Sequence, residues 1–283
     1  MIWLLYKGCV IRKEIYLTSK ESVNNENLFW INYSNNLVST AIKIINYGGA
    51  YMNMNVASIK EKKVVKYKSC FDVIGPIMIG PSSSHTAGAL SIGTVANKLF
   101  QGLPKKVVVT YYESFAETHK GHGTDFAIIA GILGFAADDS KVPDAIKIAE
   151  SKGIDITFIE KSGDSPAGHP NTADVYVEDD SRSIRTMGIS VGGGLIEVKY
   201  VEIDGFSLEL QGPLPVVIAI SERADFEFVL RRIFKQYDVE INNFHSLKDK
   251  TKYLYAFALD SLLPGNAQKE LGNLSNIANL IIL

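Results

Sequence analysis

Past residue 70 the apolar positions recur with two distinct periods. Ile92, Val95, Ala96 and Leu99 stand at i, i+3, i+4 and i+7, the spacing of one helix face. Phe126, Ile129, Ala130 and Leu133 repeat it, as do Val142, Ala145, Ile146 and Ala149. Short apolar or alternating runs predict strands: VIGPIMIG (73–80), VVVTYYES (107–114), 155–160, 173–179, 183–191, 195–204 and 206–210. Gly212-Pro213 and Pro215 then punctuate a boundary. Beyond it the order is strand 216–220, a helix carrying Phe226, Val229, Leu230 and Ile233, strands 239–245 and 252–259, helix 266–273 and strand 277–283. Helices followed by a run of antiparallel-looking strands predict an α+β fold. We expect a large domain at 68–212 and a small βαββαβ domain at 213–283.

The first fifty residues lack any sustained helical or strand period. Both tryptophans, Trp3 and Trp30, lie there, with a crowd of asparagines from Asn24 to Asn36. Gly48-Gly49 shortly precedes Met52, and a Gly-Gly codon pair can spell a bacterial ribosome-binding sequence. Residues 1–67 therefore read as an atypical extension whose start is misplaced, with translation expected to begin at Met52 or Met54. Intact mass of the natively expressed protein checks this.

Composition narrows the rest. The chain has 283 residues, 46% of them hydrophobic and 21% charged, which is globular rather than disordered. A net charge of −2 gives no reason to expect nucleic acid or an anionic membrane as partner. Two cysteines, Cys9 and Cys70, cannot by themselves build a zinc or iron–sulfur site. The expectation is a reduced, cytoplasmic protein that holds no metal with its own ligands.

Three polar clusters could carry chemistry. GPSSSHT (Gly80–Thr86) sits between an expected strand and a helix, where unpaired N–H groups and the helix dipole suit a carboxylate or phosphate. One hydroxyl suffices for a cap; three serines and a histidine exceed that need. KGHGTD (Lys120–Asp125) again reads as a loop between a strand and a helix, with Thr124 or Asp125 as the cap. In it His122 lies between Gly121 and Gly123, and an imidazole with a reference pKa near 6.5 is a natural base at neutral pH. His119 reads as incidental. GHPN (Gly168–Asn171) is explained as well by a plain turn as by binding. Gly192-Gly193-Gly194, with no helix after it, reads as a bulge or tight turn, and His245 as structural.

Taken together, FDVIGPIMIGPSSSHTAGA (71–89), GHGTD, GHPN and SVGGGLIE (190–197) resemble the beta chain of the two-chain, iron–sulfur-dependent L-serine dehydratases. The resemblance covers roughly residues 68–283, and its C-terminal part looks like a ferredoxin-like (βαββαβ) ACT domain. It implies elimination of water from L-serine, with release of pyruvate and ammonia. It also implies a [4Fe-4S] cluster whose cysteine ligands belong to an alpha subunit, so that this chain would be half of an active site. His122 matches the family's base. Ser82, Ser83, Ser84, His85, Thr86, Gly123, Thr124, Asp125, His169 and Asn171 match its substrate pocket.

One departure concerns the small domain. ACT domains commonly place a Pro-Gly or similar turn where the first strand meets its helix, and here Arg223-Ala224-Asp225 stands in its place. That favours assembly over effector binding. The competing reading is a non-catalytic regulatory protein that binds serine without turning it over. A base held between two glycines, which a mere binder does not need, separates the two.

Overall fold

The computed structural model describes residues 75–210, 214–274 and 278–283, together with the backbone of short strands between residues 4 and 51. The chain divides into two compact units, Met1–Lys66 and Tyr67–Leu283. In the first, strands Tyr16–Val23, Glu26–Asn32 and Thr40–Ile44 pair antiparallel, although the sequence there shows no alternation to announce them. Met52, Met54, Phe71–Ile74 and the Gly212-Pro213 boundary lie outside the described residues.

The second unit opens with a difference from expectation. Gly75–Gly80 forms no strand. Gly75, Pro76, Gly80 and Pro81 interrupt its apolar residues, and a proline has no N–H to give a ladder. Next, a π-helical turn at Ser83–Ala87 runs into α1 (Gly88–Phe100). After β1 (Lys106–Tyr112) a short α2 (Glu113–Thr118), which hydrophobic spacing does not reveal, leads to α3 (Thr124–Ile132) and α4 (Ala145–Ser151). Strands β2 (Asp155–Lys161), β3 (Thr172–Glu178), β4 (Ser183–Gly192), β5 (Leu195–Ile203) and β6 (Phe206–Glu209) follow. They form one sheet in the order β6-β5-β4-β3-β1-β2, antiparallel except for the parallel β1–β2 pair.

Register explains the layering. Tyr111, Val109 and Val107 lie opposite Ala173, Val175 and Val177, and all six are buried on one face. Gly188 continues that face, where a Cβ would stand 2.9 Å from the Ile92 side chain of α1. The opposite face carries polar pairs such as Arg185 on Asp174, whose Nη2–Oδ2 distance is 2.6 Å. α1 and α3 cross with almost no separation: a Cβ at Gly131 would lie 2.1 Å from Leu90 O, and one at Gly93 2.1 Å from Ile128 O.

The C-terminal part runs β7 (Val216–Ser221), α5 (Phe226–Gln236), β8 (Ile241–Asp249), β9 (Lys252–Leu259), α6 (Gly265–Gly272) and β10 (Asn279–Ile282). Its antiparallel sheet has the order β8-β9-β7-β10. Val217, Ala219, Tyr255 and Phe257 pack against Phe226, Leu230, Ile233 and Phe234 of α5. The other face, with Val216, Ile218, Ile220, Leu254 and Ala256, joins the core of the six-stranded layer. A β strand buried on both faces reads as an unbroken apolar run, and VVIAIS is one.

Candidate active site

The Ser82–Thr86 segment builds itself around one helix start. Ser82 is the N-cap, its Oγ accepting from His85 N at 3.1 Å. One serine thus serves as the cap, as the sequence suggests. The remaining hydroxyls are tied into a chain: Ser82 Oγ lies 3.3 Å from Ser84 Oγ, and Ser84 Oγ 2.9 Å from His85 Nδ1. Nε2 of His85 reaches Ser114 Oγ on α2 at 3.1 Å. Burial first, and then the His122 charge, holds the His85 imidazole below the ordinary histidine value.

Thr86, which is buried, donates from Oγ1 to His122 O at 2.9 Å, and so sews the second cluster onto the first. The His85 and His122 rings are 4.8 Å apart between centroids. Nδ1 of His122 is buried without a hydrogen-bond partner among the described residues. Its proton is therefore not pinned to one ring nitrogen by a neighbour at Nδ1.

The loop that carries His122 follows helix α2, not a strand as expected. Its cap is Gly123 at φ 68°, with neither Thr124 nor Asp125 making a side-chain capping bond. A left-handed φ suits glycine, and a Cβ there would also strike the Phe126 ring at 2.2 Å. Thr124 Oγ1 is buried and unpartnered among the described residues. The Asp125 carboxylate turns to His119, with Oδ1 2.6 Å from Nδ1. The reading of His119 as incidental is thus revised: it is 3% exposed, and its Nε2 lies 2.9 Å from Glu160 Oε1 on β2.

The third cluster borders the same corner. Asn171 N donates to His169 Nδ1 at 3.1 Å, and Asn171 Nδ2 to Ser190 O at 3.4 Å. Phe115 N of α2 donates to Pro170 O at 3.3 Å. Ser190 is fully buried against the helix start: a Cβ at Gly88 would stand 2.1 Å from its Oγ. Gly192 at the end of β4 and Gly193 and Gly194 in the turn to β5 all have positive φ, and Ser91 Oγ donates to Gly194 O at 3.1 Å. His245 stands on β8, away from these clusters in sequence, with Nε2 3.3 Å from Asn243 Nδ2.

Sequence reasoning missed Ser114, Glu113 and Ser190. Glu113 has φ 45° and accepts from Ser165 N at 2.7 Å, which ties α2 to the 165–171 loop. The helix-forming run ESFAET after a strand was a usable signal for α2; the pairing of Ser114 with His85 was not, since it spans 29 residues.

A hydroxyl-lined helix start and two imidazoles, His85 and the partly exposed His122, thus come together at one corner. The family described as serine dehydratase beta chain matches residues 69–200. A protein of Bacillus subtilis (strain 168) named "Probable L-serine dehydratase, beta chain" is 51% identical over 156 residues, 55% of this chain and 69% of its own. The "L-serine dehydratase, beta chain" of Peptoniphilus asaccharolyticus is 39% identical over 152 residues, 53% of this chain and 67% of its own. "L-serine dehydratase 2" of Escherichia coli (strain K12) is 29% identical over 185 residues, 56% of this chain and 39% of its own. This chain belongs to the serine dehydratase beta chain family.

Proposed function

We propose that this chain is the beta subunit of an L-serine dehydratase, an ammonia-lyase that converts L-serine to pyruvate and ammonia together with an alpha subunit. The observation that carries it is the meeting of His122 with the helix start at Ser82–Thr86, through Thr86 Oγ1 and the His85 ring. In this reading the substrate carboxylate docks at the helix start among the serine hydroxyls. His122 takes the Cα proton, and His169 and Asn171 border the pocket from the facing loop.

Loss of the hydroxyl needs an electrophile, which a [4Fe-4S] cluster would supply as a Lewis acid. Among the described residues no group of three or more His, Cys, Asp or Glu side chains is placed to hold a metal ion. Two cysteines in the whole chain do not fit a four-thiolate cluster either. We therefore assign the cluster's ligands to the alpha subunit and no step of it to this chain. The name "beta chain" on the relatives supports a partner. No helix among the described residues is long and apolar enough to cross a membrane.

The small domain is proposed to be ACT-like and to serve assembly. At its strand–helix corner Arg223 and Asp225 pair with each other, Nη2–Oδ2 2.7 Å, and Tyr255 Oη donates to the carbonyls of Arg223 and Ala224. These groups are already occupied among themselves, which leaves little for an effector.

His122→Ala in the reconstituted alpha–beta pair tests the assignment. Since a positioned base contributes about 10²–10⁴-fold, pyruvate release should fall by that much while serine still binds. Unchanged turnover with serine still bound would remove His122 as the base, whereas a cluster-loaded pair that binds serine and releases no pyruvate would favour a regulatory binder.

A further inference from the structure

His119 is a buried titratable group near the site that the proposed chemistry leaves unused. Its ring lies 4.9 Å from the Tyr111 ring of β1 and 6.5 Å from the Phe158 ring of β2, centroid to centroid. Nδ1 faces Asp125 Oδ1 of α3 at 2.6 Å, and Nε2 faces Glu160 Oε1 of β2 at 2.9 Å. Lys120 Nζ reaches the same Glu160 oxygen at 2.9 Å. A carboxylate only accepts, so a ring nitrogen bonded to one must carry a proton. His119 thus ties α3 and β2 together at the end of α2.

The loop held between those ties is the one that presents His122. Its backbone closes on itself through His122 N to Thr118 O and Thr124 N to His119 O, both 3.0 Å. Asp125 comes two residues after Gly123, whose left-handed backbone sets the direction of the loop. We infer that His119 is a positioning residue for His122, acting through its bond to Asp125. Glu160, more than half exposed at its side chain, is the weaker anchor. This rests on the reading of His122 as the base, whereas the loop clamp itself does not.

The two ties separate by substitution. His119→Asn places an amide N–H near the Nδ1 position and keeps the bond to Asp125; His119→Gln places it near Nε2 and keeps the bond to Glu160. Hydrogen exchange of the His122 and Thr124 amides is read in the full chain alone, and kcat and KM for serine in the alpha–beta pair. In H119Q both amides should exchange about tenfold faster or more, because local opening no longer breaks the Asp125 bond. Since small misplacements can cost up to about 10²-fold, kcat should fall at least about tenfold there with KM within about twofold. H119N should stay within about twofold of the wild type in all three. Should H119Q fail to fold, Asp125→Ala removes the acceptor from the other side and should also raise the exchange of both amides. Wild-type exchange in H119Q or D125A, or equal loss in H119N and H119Q, overturns the clamp. Faster exchange in H119Q with unchanged pyruvate release upholds the clamp and removes His122 from the chemistry.

Discussion

His85 and His122 sit within one ring contact of each other, yet their surroundings differ. Both nitrogens of His85 are engaged by serine hydroxyls, and burial with the neighbouring imidazole depresses its pKa. In the unfolded chain His85 would take up a proton near the ordinary value of about 6.5, and in the folded chain only at lower pH. Between the two values the unfolded state binds more protons, so stability is full above about 6.5 and falls as pH drops through that window. The thermal midpoint of the beta chain should therefore decline as pH falls below about 6.5, and less steeply in His85→Gln. Equal slopes would show that His85 contributes nothing to the decline. His245, bonded only to Asn243 in its own strand among the described contacts, provides a control. His245→Ala should leave pyruvate release within about twofold, as expected for a surface substitution outside the site.

The segments of the candidate site stood out in the sequence at this scale. SSSHT announces itself by an excess of hydroxyls over what one cap requires, and His122 by its two glycine neighbours. What stayed hidden is tertiary. The bond from Ser114 to His85 and the placement of Glu160 beside His119 depend on how helices pack on the sheet, and no local period encodes that. The expected capping by Thr124 or Asp125 differs for a related reason. The αL backbone of Gly123 takes the cap position, and Asp125 is drawn to His119 instead.

Among the elements, the long helices and strands follow the periodicity closely, and the exceptions have physical causes. Residues 75–80 carry strand-like apolar residues but are interrupted by Gly75, Pro76 and Gly80. Helix α2, only six residues long, has one buried position, Phe115, and so leaves no repeating stripe to find. The α1–α3 crossing was invisible too, because its signal is two glycines in otherwise ordinary helices. With Gly131 Cα seated against the α1 backbone, Gly131→Ala should force the helices apart. Overpacking of this kind costs about 1–3 kcal/mol, or more where backbone rather than a side chain must yield. Chemical denaturation checks this. Because α1 begins at the serine cluster and α3 at the His122 loop, activity should fall along with stability. A Gly131→Ala variant as stable as the wild type would mean that the two helices have room the crossing does not show.

At the scale of the whole molecule, the two layers expected as separate domains share a core. The face of β7 with Val216, Ile218 and Ile220 belongs with the large sheet, and the face with Val217 and Ala219 with helix α5. The alternation within β7 is hidden in sequence, since both faces are apolar. Gln101, just past α1, donates to Leu280 O of β10 at 3.0 Å and adds a polar tie between the layers.

In the proposed enzyme this chain would supply the base and the carboxylate cradle, and a partner the electrophile. The most direct test is pyruvate release from L-serine, measured anaerobically on the beta chain alone, the alpha chain alone and the two combined. Activity only in the combination, with iron–sulfur absorbance following the alpha chain, is the predicted result. An assembled, cluster-loaded pair that binds serine and releases no pyruvate would contradict it.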